Sequence, residues 1–206
     1  MTTLLLLRHG EVPGISPPKF RGRLELELTD RGREQARRTG ERVHAGWPKL
    51  DALYCSPRHR TVATAQAVGK TYGMAPQALP EFDDLDYGDW HGFTEDETKQ
   101  RWPDLWAVWV AAPEYAAFPG GETLAGLAAR AWQGVIKILQ ANNHASVIGL
   151  VAHDSVNRVL LMQFLGMHLR FYRALAQDPC CLNVIEAPGV HAQVRLLNST
   201  EHLRDL

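Results

Sequence analysis

Leu4 to Leu7 is an unbroken apolar run that ends at Arg8-His9-Gly10. So short a run, apolar at every position, suits a strand buried on both faces, as in a parallel sheet. Ser146 to Ala152 has the same character and ends at His153-Asp154-Ser155. Asp51 to Tyr54 is a third such stretch, ending at Cys55-Ser56-Pro57. Between these runs the apolar period becomes helical. Thr29 suits an N-cap, and Gly32, Ala36, Gly40 and Val43 follow at helical spacing among Arg and Glu. Ala65, Val68 and Tyr72 form a second stripe. Leu124, Leu127, Ala131 and Ile138 mark a third across Glu122 to Gln140, and Val156, Leu160, Leu161 and Phe164 a fourth. Trp102, Trp106 and Trp109 also recur at helical spacing and predict a helix.

The rest reads as connection or sheet edge. Val12 to Arg23 contains Pro13, Gly14, Pro17, Pro18 and Gly22, so it is expected as a loop. Ala78 to Pro80 reads as extended, Asp83 to Gly92 is acidic and aromatic without clear period, and Pro119-Gly120-Gly121 is a loop. Leu182 to Glu186 and Gln193 to Leu197 are further strands. Alternation of strand and helix predicts an α/β fold with a mostly parallel sheet.

Composition narrows the class. The chain has 206 residues, 45% hydrophobic and 22% charged, which suits a single domain over residues 1–206 with one substantial core. A net charge of -1 argues against a nucleic-acid partner. Cys55, Cys180 and Cys181 form no disulfide framework, which favours a reducing compartment. The leucine run lacks a basic lead and is too short for a signal peptide, and no apolar run is long enough for a membrane span. A cytoplasmic protein is expected.

Ligands of open α/β sheets sit outside the carboxyl ends of the strands. Two predicted strands end there in histidine, His9 and His153, and a third ends before Arg58, His59 and Arg60. These positions would converge on one pocket of two imidazoles and at least two guanidiniums, which suits a phosphate, since a guanidinium fork matches its oxygens. No H-E-x-x-H or C-x-x-C spacing points to a metal, no G-x-S-x-G to a serine hydrolase, and no Walker lysine to a nucleotide loop.

Leu7-Arg8-His9-Gly10-Glu11 resembles the signature of the histidine phosphatase superfamily, which includes the phosphoglycerate mutases. Further resemblances follow in order: Leu28-Thr29-x-x-Gly32-x-x-Gln35-Ala36, Ser56-Pro57-x-x-Arg60-x-x-x-Thr64-Ala65, and Val151-Ala152-His153-Asp154-x-Val156-x-Arg158. Asp84-x-Asp86-Tyr87-Gly88-x-Trp90-x-Gly92, Pro119-Gly120-Gly121-Glu122 and Leu197-Asn198-x-Thr200-x-His202-Leu203 also fit. The resemblance implies a three-layer sandwich, a central sheet flanked by helices, with a helical insertion over the active site.

The resemblance also implies roles. His9 would be the nucleophile that becomes phosphohistidine. Arg8, Arg60 and His153 would bind the phosphoryl oxygens. Asp84 stands where relatives usually carry the glutamate that acts as general acid, with Glu81 and Asp83 in reserve. Arg58 would be a surface or rim residue. Ile15 stands where many relatives have a phosphate-binding asparagine. Arg21, with Lys19 and Arg23, forms a basic patch that either replaces that contact or is a solvated loop. The tryptophan segment would pack on the core or shape a lid. The implied activity is metal-independent and cofactor-free hydrolysis of a small phosphorylated metabolite, with a primed mutase or a non-catalytic phosphate binder as alternatives. Sugar phosphates, phosphoglycerates, nucleotides and a cobalamin-precursor phosphate are all compatible substrates, and a homodimer is compatible too.

Overall fold

The computed structural model describes residues 2–15, 18–142, 146–187 and 192–206. Six strands form one sheet: β1 (Thr2–Arg8), β2 (Ala52–Cys55), β3 (Gln77–Ala78), β4 (Val147–Ala152), β5 (Leu182–Ala187) and β6 (Gln193–Ser199), in the order β3-β2-β4-β1-β5-β6. The pairs β3-β2, β2-β4 and β4-β1 are parallel. β1-β5 and β5-β6 are antiparallel, so the mostly parallel sheet has one antiparallel flank.

The leucine run explains itself in this sheet. Successive strand side chains point to opposite faces. Leu4 and Leu6 enter the core beneath α5 (Leu124–Ala141) and α6 (Asp154–Leu165), beside Leu127, Val135 and Leu160. Leu5 and Leu7 enter the opposite core with Val43 of α1 (Asp30–Gly46) and Val68 of α2 (His59–Lys70). Helices therefore cover both faces, as expected for three layers. All four leucines are buried, and truncating one to alanine is expected to cost roughly 2–5 kcal/mol.

Thr29 caps α1 as expected, its hydroxyl accepting from the Gly32 N–H at 2.9 Å. Tyr72 lies beyond the end of α2, where its hydroxyl donates to the Trp47 carbonyl at 2.7 Å. The tryptophan segment is two helices, α3 (Glu95–Arg101) and α4 (Pro103–Ala111). Pro103 disfavours helical backbone at Trp102 and itself starts α4 at its first position, so the break falls there. In the extended piece only Gln77–Ala78 pairs, and Pro80 opens a 3-10 turn.

Candidate active site

β1 and β4 run in parallel register with Arg8 opposite Ala152, so the next residues, His9 and His153, emerge side by side. Their rings meet edge-on with centroids 5.3 Å apart. Nδ1 of His9 lies 2.7 Å from the Gly10 carbonyl oxygen. A carbonyl only accepts, so Nδ1 carries the proton and Nε2 keeps its lone pair. Gly10 is fixed in turn, its N–H donating to the Thr64 hydroxyl at 3.1 Å. A Cβ on Gly10 would stand 2.4 Å from the Gly32 carbonyl oxygen, so this approach of the loop to α1 admits only glycine.

α2 carries Arg60 in its first turn, fully buried. Its guanidinium donates to the carbonyls of Gly22 at 2.6 Å and Leu24 at 2.8 Å, and to Asp84 Oδ2 at 2.9 Å. Arg8, at the end of β1, donates to the Gln177 carbonyl at 2.5 Å. Nε of both arginines is buried without a hydrogen-bond partner. His153 is fully buried, with Nε2 2.8 Å from the Ser56 hydroxyl and Nδ1 3.5 Å from Asp84 Oδ2. That Nδ1 also has no hydrogen-bond partner.

Asp84 sits in irregular chain. Its Oδ1 accepts from the Leu85 N–H at 2.9 Å and from the Ser155 hydroxyl. Arg130, on α5, clamps the segment by donating to the carbonyls of Glu81, Asp83 and Asp84 at 3.0, 2.7 and 2.8 Å. The two reserve acids are engaged elsewhere. Glu81 pairs with Lys137. Asp83 takes a fork from Arg58 at 2.7 and 2.6 Å. Arg58 is thus a structural residue, partly buried, as its expected rim position allows.

Burial first, then the positive field of Arg60, hold the pKa values of His9 and His153 well below the ordinary histidine value. Burial raises that of Asp84, although Arg60 opposes the shift. The site therefore favours neutral imidazoles beside a carboxyl that is hard to ionise.

A cleft of about 260 Å³ opens beside Asp84, lined also by Lys19, Arg21, Tyr87, Trp109 and Asp154. Arg21 is held there by donating to the Gly14 carbonyl at 2.6 Å. The basic patch divides at this point. Arg23 turns instead to Asp86 at 3.1 Å and Glu122 at 3.3 Å. Ile15 packs on the cluster around Val12 and Leu28. The tryptophans divide as well: Trp102 and Trp106 pack against buried Trp90, whereas Trp109 lines the cleft.

Sequence reasoning assigned no role to Ser155, Gln177, Tyr172 or Arg173. Ser155 lies at an unspecified position within the second-histidine block, which was its only signal. The others come from an aperiodic stretch before β5 that carries none.

A family model described as the histidine phosphatase superfamily (branch 1) matches residues 4–200. The chain belongs to that superfamily. Phosphoserine phosphatase 1 of Hydrogenobacter thermophilus is 26% identical to this histidine phosphatase family member over 98% of this chain and 95% of its own. An acid phosphatase of Mycobacterium tuberculosis is 31% identical over 97% and 93%. The solved structure of Bacillus stearothermophilus YhfR superposes with a TM-score of 0.91 at 27% identity, covering 98% of this chain and 99% of that one. Proteins named 2,3-bisphosphoglycerate-dependent phosphoglycerate mutases are also similar. Among the described residues, no cluster of three or more His, Cys, Asp or Glu is placed to hold a metal ion. No helix among them is long and apolar enough to cross a membrane.

Proposed function

We propose that this chain hydrolyses a small phosphomonoester through a covalent phosphohistidine on Nε2 of His9. The carrying observation is the 2.7 Å contact from His9 Nδ1 to the Gly10 carbonyl, which leaves Nε2 unprotonated. That lone pair attacks phosphorus as the ester P–O bond breaks. Asp84, whose protonated form burial favours, gives a proton to the leaving alkoxide. A water then attacks phosphorus, Asp84 takes up a proton from it, the P–N bond breaks and phosphate leaves.

Arg8, Arg60, His153 and Arg21 bind the phosphoryl oxygens in this reading. The buried, unpartnered Nε of Arg8 and Arg60 and Nδ1 of His153 support it, because each is a polar atom awaiting a partner. Loss of one donor of this kind typically costs about 2.7–4 kcal/mol of barrier.

The resemblance to phosphatases over nearly their whole length favours hydrolysis over mutase transfer. We take residues 1–206 as one domain, since the family model spans residues 4–200. We place the chain in the cytoplasm. Cys55, Cys180 and Cys181 are buried, free thiols whose pKa values burial pushes up to about 12, as suits inert residues in a reducing compartment.

The test is phosphate release from p-nitrophenyl phosphate and a panel of esters in EDTA, with the wild type and His9→Ala. Hydrolysis by the wild type, absent from the variant, supports the covalent route. Trapping an acid-labile phosphoenzyme locates the bond. An inactive wild type on every ester overturns the reading, and turnover of 3-phosphoglycerate only with a bisphosphoglycerate primer replaces it with the mutase.

A further inference from the structure

Arg8 and Arg60 are held in different ways. Arg60 leans on two carbonyls and on the Asp84 carboxyl. Among the described residues the Arg8 guanidinium has one hydrogen bond, to the main-chain carbonyl of Gln177 at 2.5 Å. The aim of Arg8 therefore depends on where that carbonyl stands. Residues 175–178 belong to no helix or strand, so no regular hydrogen-bond ladder fixes it.

The Gln177 side chain supplies an anchor instead. It is buried, as are Asn157 and Asn183. Gln177 and Asn183 exchange amide bonds: Asn183 Nδ2 donates to Gln177 Oε1 at 2.8 Å, and Gln177 Nε2 donates to Asn183 Oδ1 at 2.9 Å. Asn183, on β5, also donates to the Leu6 carbonyl of β1 at 3.0 Å. From α6, Asn157 Nδ2 donates to the same Gln177 oxygen at 3.1 Å, and the Asn157 N–H donates to the His153 carbonyl at 2.9 Å. Gln177 is thus tied both to the strand that carries Arg8 and to the helix that follows His153. The next residue is clasped too. The Asp178 N–H donates to Asn198 Oδ1 at 2.7 Å, and Asn198 Nδ2 donates to the Asp178 carboxylate at 2.8 Å. Asn157 Oδ1 is buried without a partner. An apolar residue at 157 would avoid that unpaired acceptor, so the bond to Gln177 is what this amide contributes.

We propose that Gln177 is a positioning residue: its amide, clasped by Asn183 and Asn157, fixes the main-chain carbonyl that aims the Arg8 guanidinium at the phosphoryl group. The inference rests on the reading of the chain as a phosphomonoesterase in which Arg8 binds the phosphoryl oxygens. A donor stabilises a transition state only if it is already in place when charge develops there. Arg60 has its own three partners for this, whereas Arg8 borrows its rigidity from a buried amide that touches no substrate.

The experiment is a double-mutant cycle read as kcat and KM for p-nitrophenyl phosphate. Gln177→Met keeps the length of the side chain and removes its hydrogen bonds. Alone it should lower kcat/KM by about tenfold to a hundredfold, mainly through kcat. In an Arg8→Met background it should cost about twofold at most, because no guanidinium remains to be aimed. In a Ser56→Ala background it should cost its full factor. A merely structural residue would cut turnover alike in every background, so an equal loss with and without Arg8 overturns the proposal, as does wild-type turnover in Gln177→Met. Should Gln177→Met fail to fold, Asn157→Leu carries the same cycle, since it keeps shape and removes one bond to Gln177. A loss of about threefold or more that disappears with Arg8 supports the proposal, and wild-type turnover overturns it. An unimpaired Arg8→Met sinks this inference and leaves the chemistry of His9 standing. A wild type inactive on every ester sinks it together with the phosphomonoesterase reading.

Discussion

The Ser56 hydroxyl stands 2.8 Å from Nε2 of His153, and both side chains are fully buried. The hydroxyl oxygen already accepts a long bond from the Arg58 N–H at 3.4 Å, and its own hydrogen needs an acceptor. Donation to Nε2 places the ring proton on Nδ1, the atom that faces Asp84. Ser56 is in this sense a positioning residue. Ser56→Ala should lower kcat by roughly tenfold to a hundredfold, in line with the ~1–3 kcal/mol cost of a buried group left unpaired. KM should move little, and Ser56→Thr should recover most of the loss. A wild-type kcat in Ser56→Ala would mean that the hydroxyl does not set the tautomer.

Asp84→Asn removes the proton donor while keeping shape. The loss should depend on the leaving group. Esters of ordinary alcohols are expected to slow by about a hundredfold to ten-thousandfold. p-Nitrophenyl phosphate, whose phenolate leaves without help, should slow far less. The fall of kcat/KM with rising pH that ionisation of this raised carboxyl causes should also vanish in the variant. Equal losses on both kinds of ester would assign the proton to another group.

Stability should fall on the acid side in a way set by histidine. Burial holds His9 and His153 below the ordinary value of 6.5, so the unfolded chain takes up those protons first. His91 and His202 are shifted the same way, again chiefly by burial. Their contribution is complete above about 6.5 and is lost progressively as pH falls below it, by up to about 1.4 kcal/mol per pH unit for each histidine. Urea titrations between pH 7.5 and about 5 should show this slope, reduced by roughly one histidine in His153→Asn. A flat profile over that range would show that the rings are not buried as neutral groups.

Arg60, itself fully buried, joins the Asp84 carboxyl to the carbonyls of Gly22 and Leu24. Arg60→Met should therefore destabilise the fold by about 3–5 kcal/mol as well as abolish turnover, because Asp84 is left buried without its partner. Adding Asp84→Asn should return part of that stability but none of the activity. Chemical denaturation of the single and double variants measures the coupling.

Much of this was written locally in the chain. The four leucines of β1 needed both sheet faces covered, and that requirement already implied helices on each side. The ends of β1 and β4 carried the two histidines, and parallel register put them together. Other features lay beyond local pattern. Trp102, Trp106 and Trp109 kept a helical period through a proline that broke the helix. Whether Glu81, Asp83 or Asp84 was free could be decided only by their partners, Lys137, Arg58 and Arg60. Lys19, Arg21 and Arg23 look alike in sequence, yet the fold turns Arg23 into an internal clasp while Lys19 and Arg21 reach the cleft. Tyr172 and Arg173 come from a 3-10 segment whose place depends on contacts distant in sequence.

The clamp that Arg130 places on the carbonyls of residues 81, 83 and 84 touches only main chain. Every amino acid supplies that same handhold, so the grip does not care which side chains the segment displays. The histidines enjoy no such freedom, locked as they are into strand register and a glycine-only contact. The molecule thus separates a hard-wired half of its chemistry from an editable one. The Arg130 clamp would hold the backbone whichever acid stood at residue 84, so retuning toward new leaving groups can begin there without loosening the nucleophile.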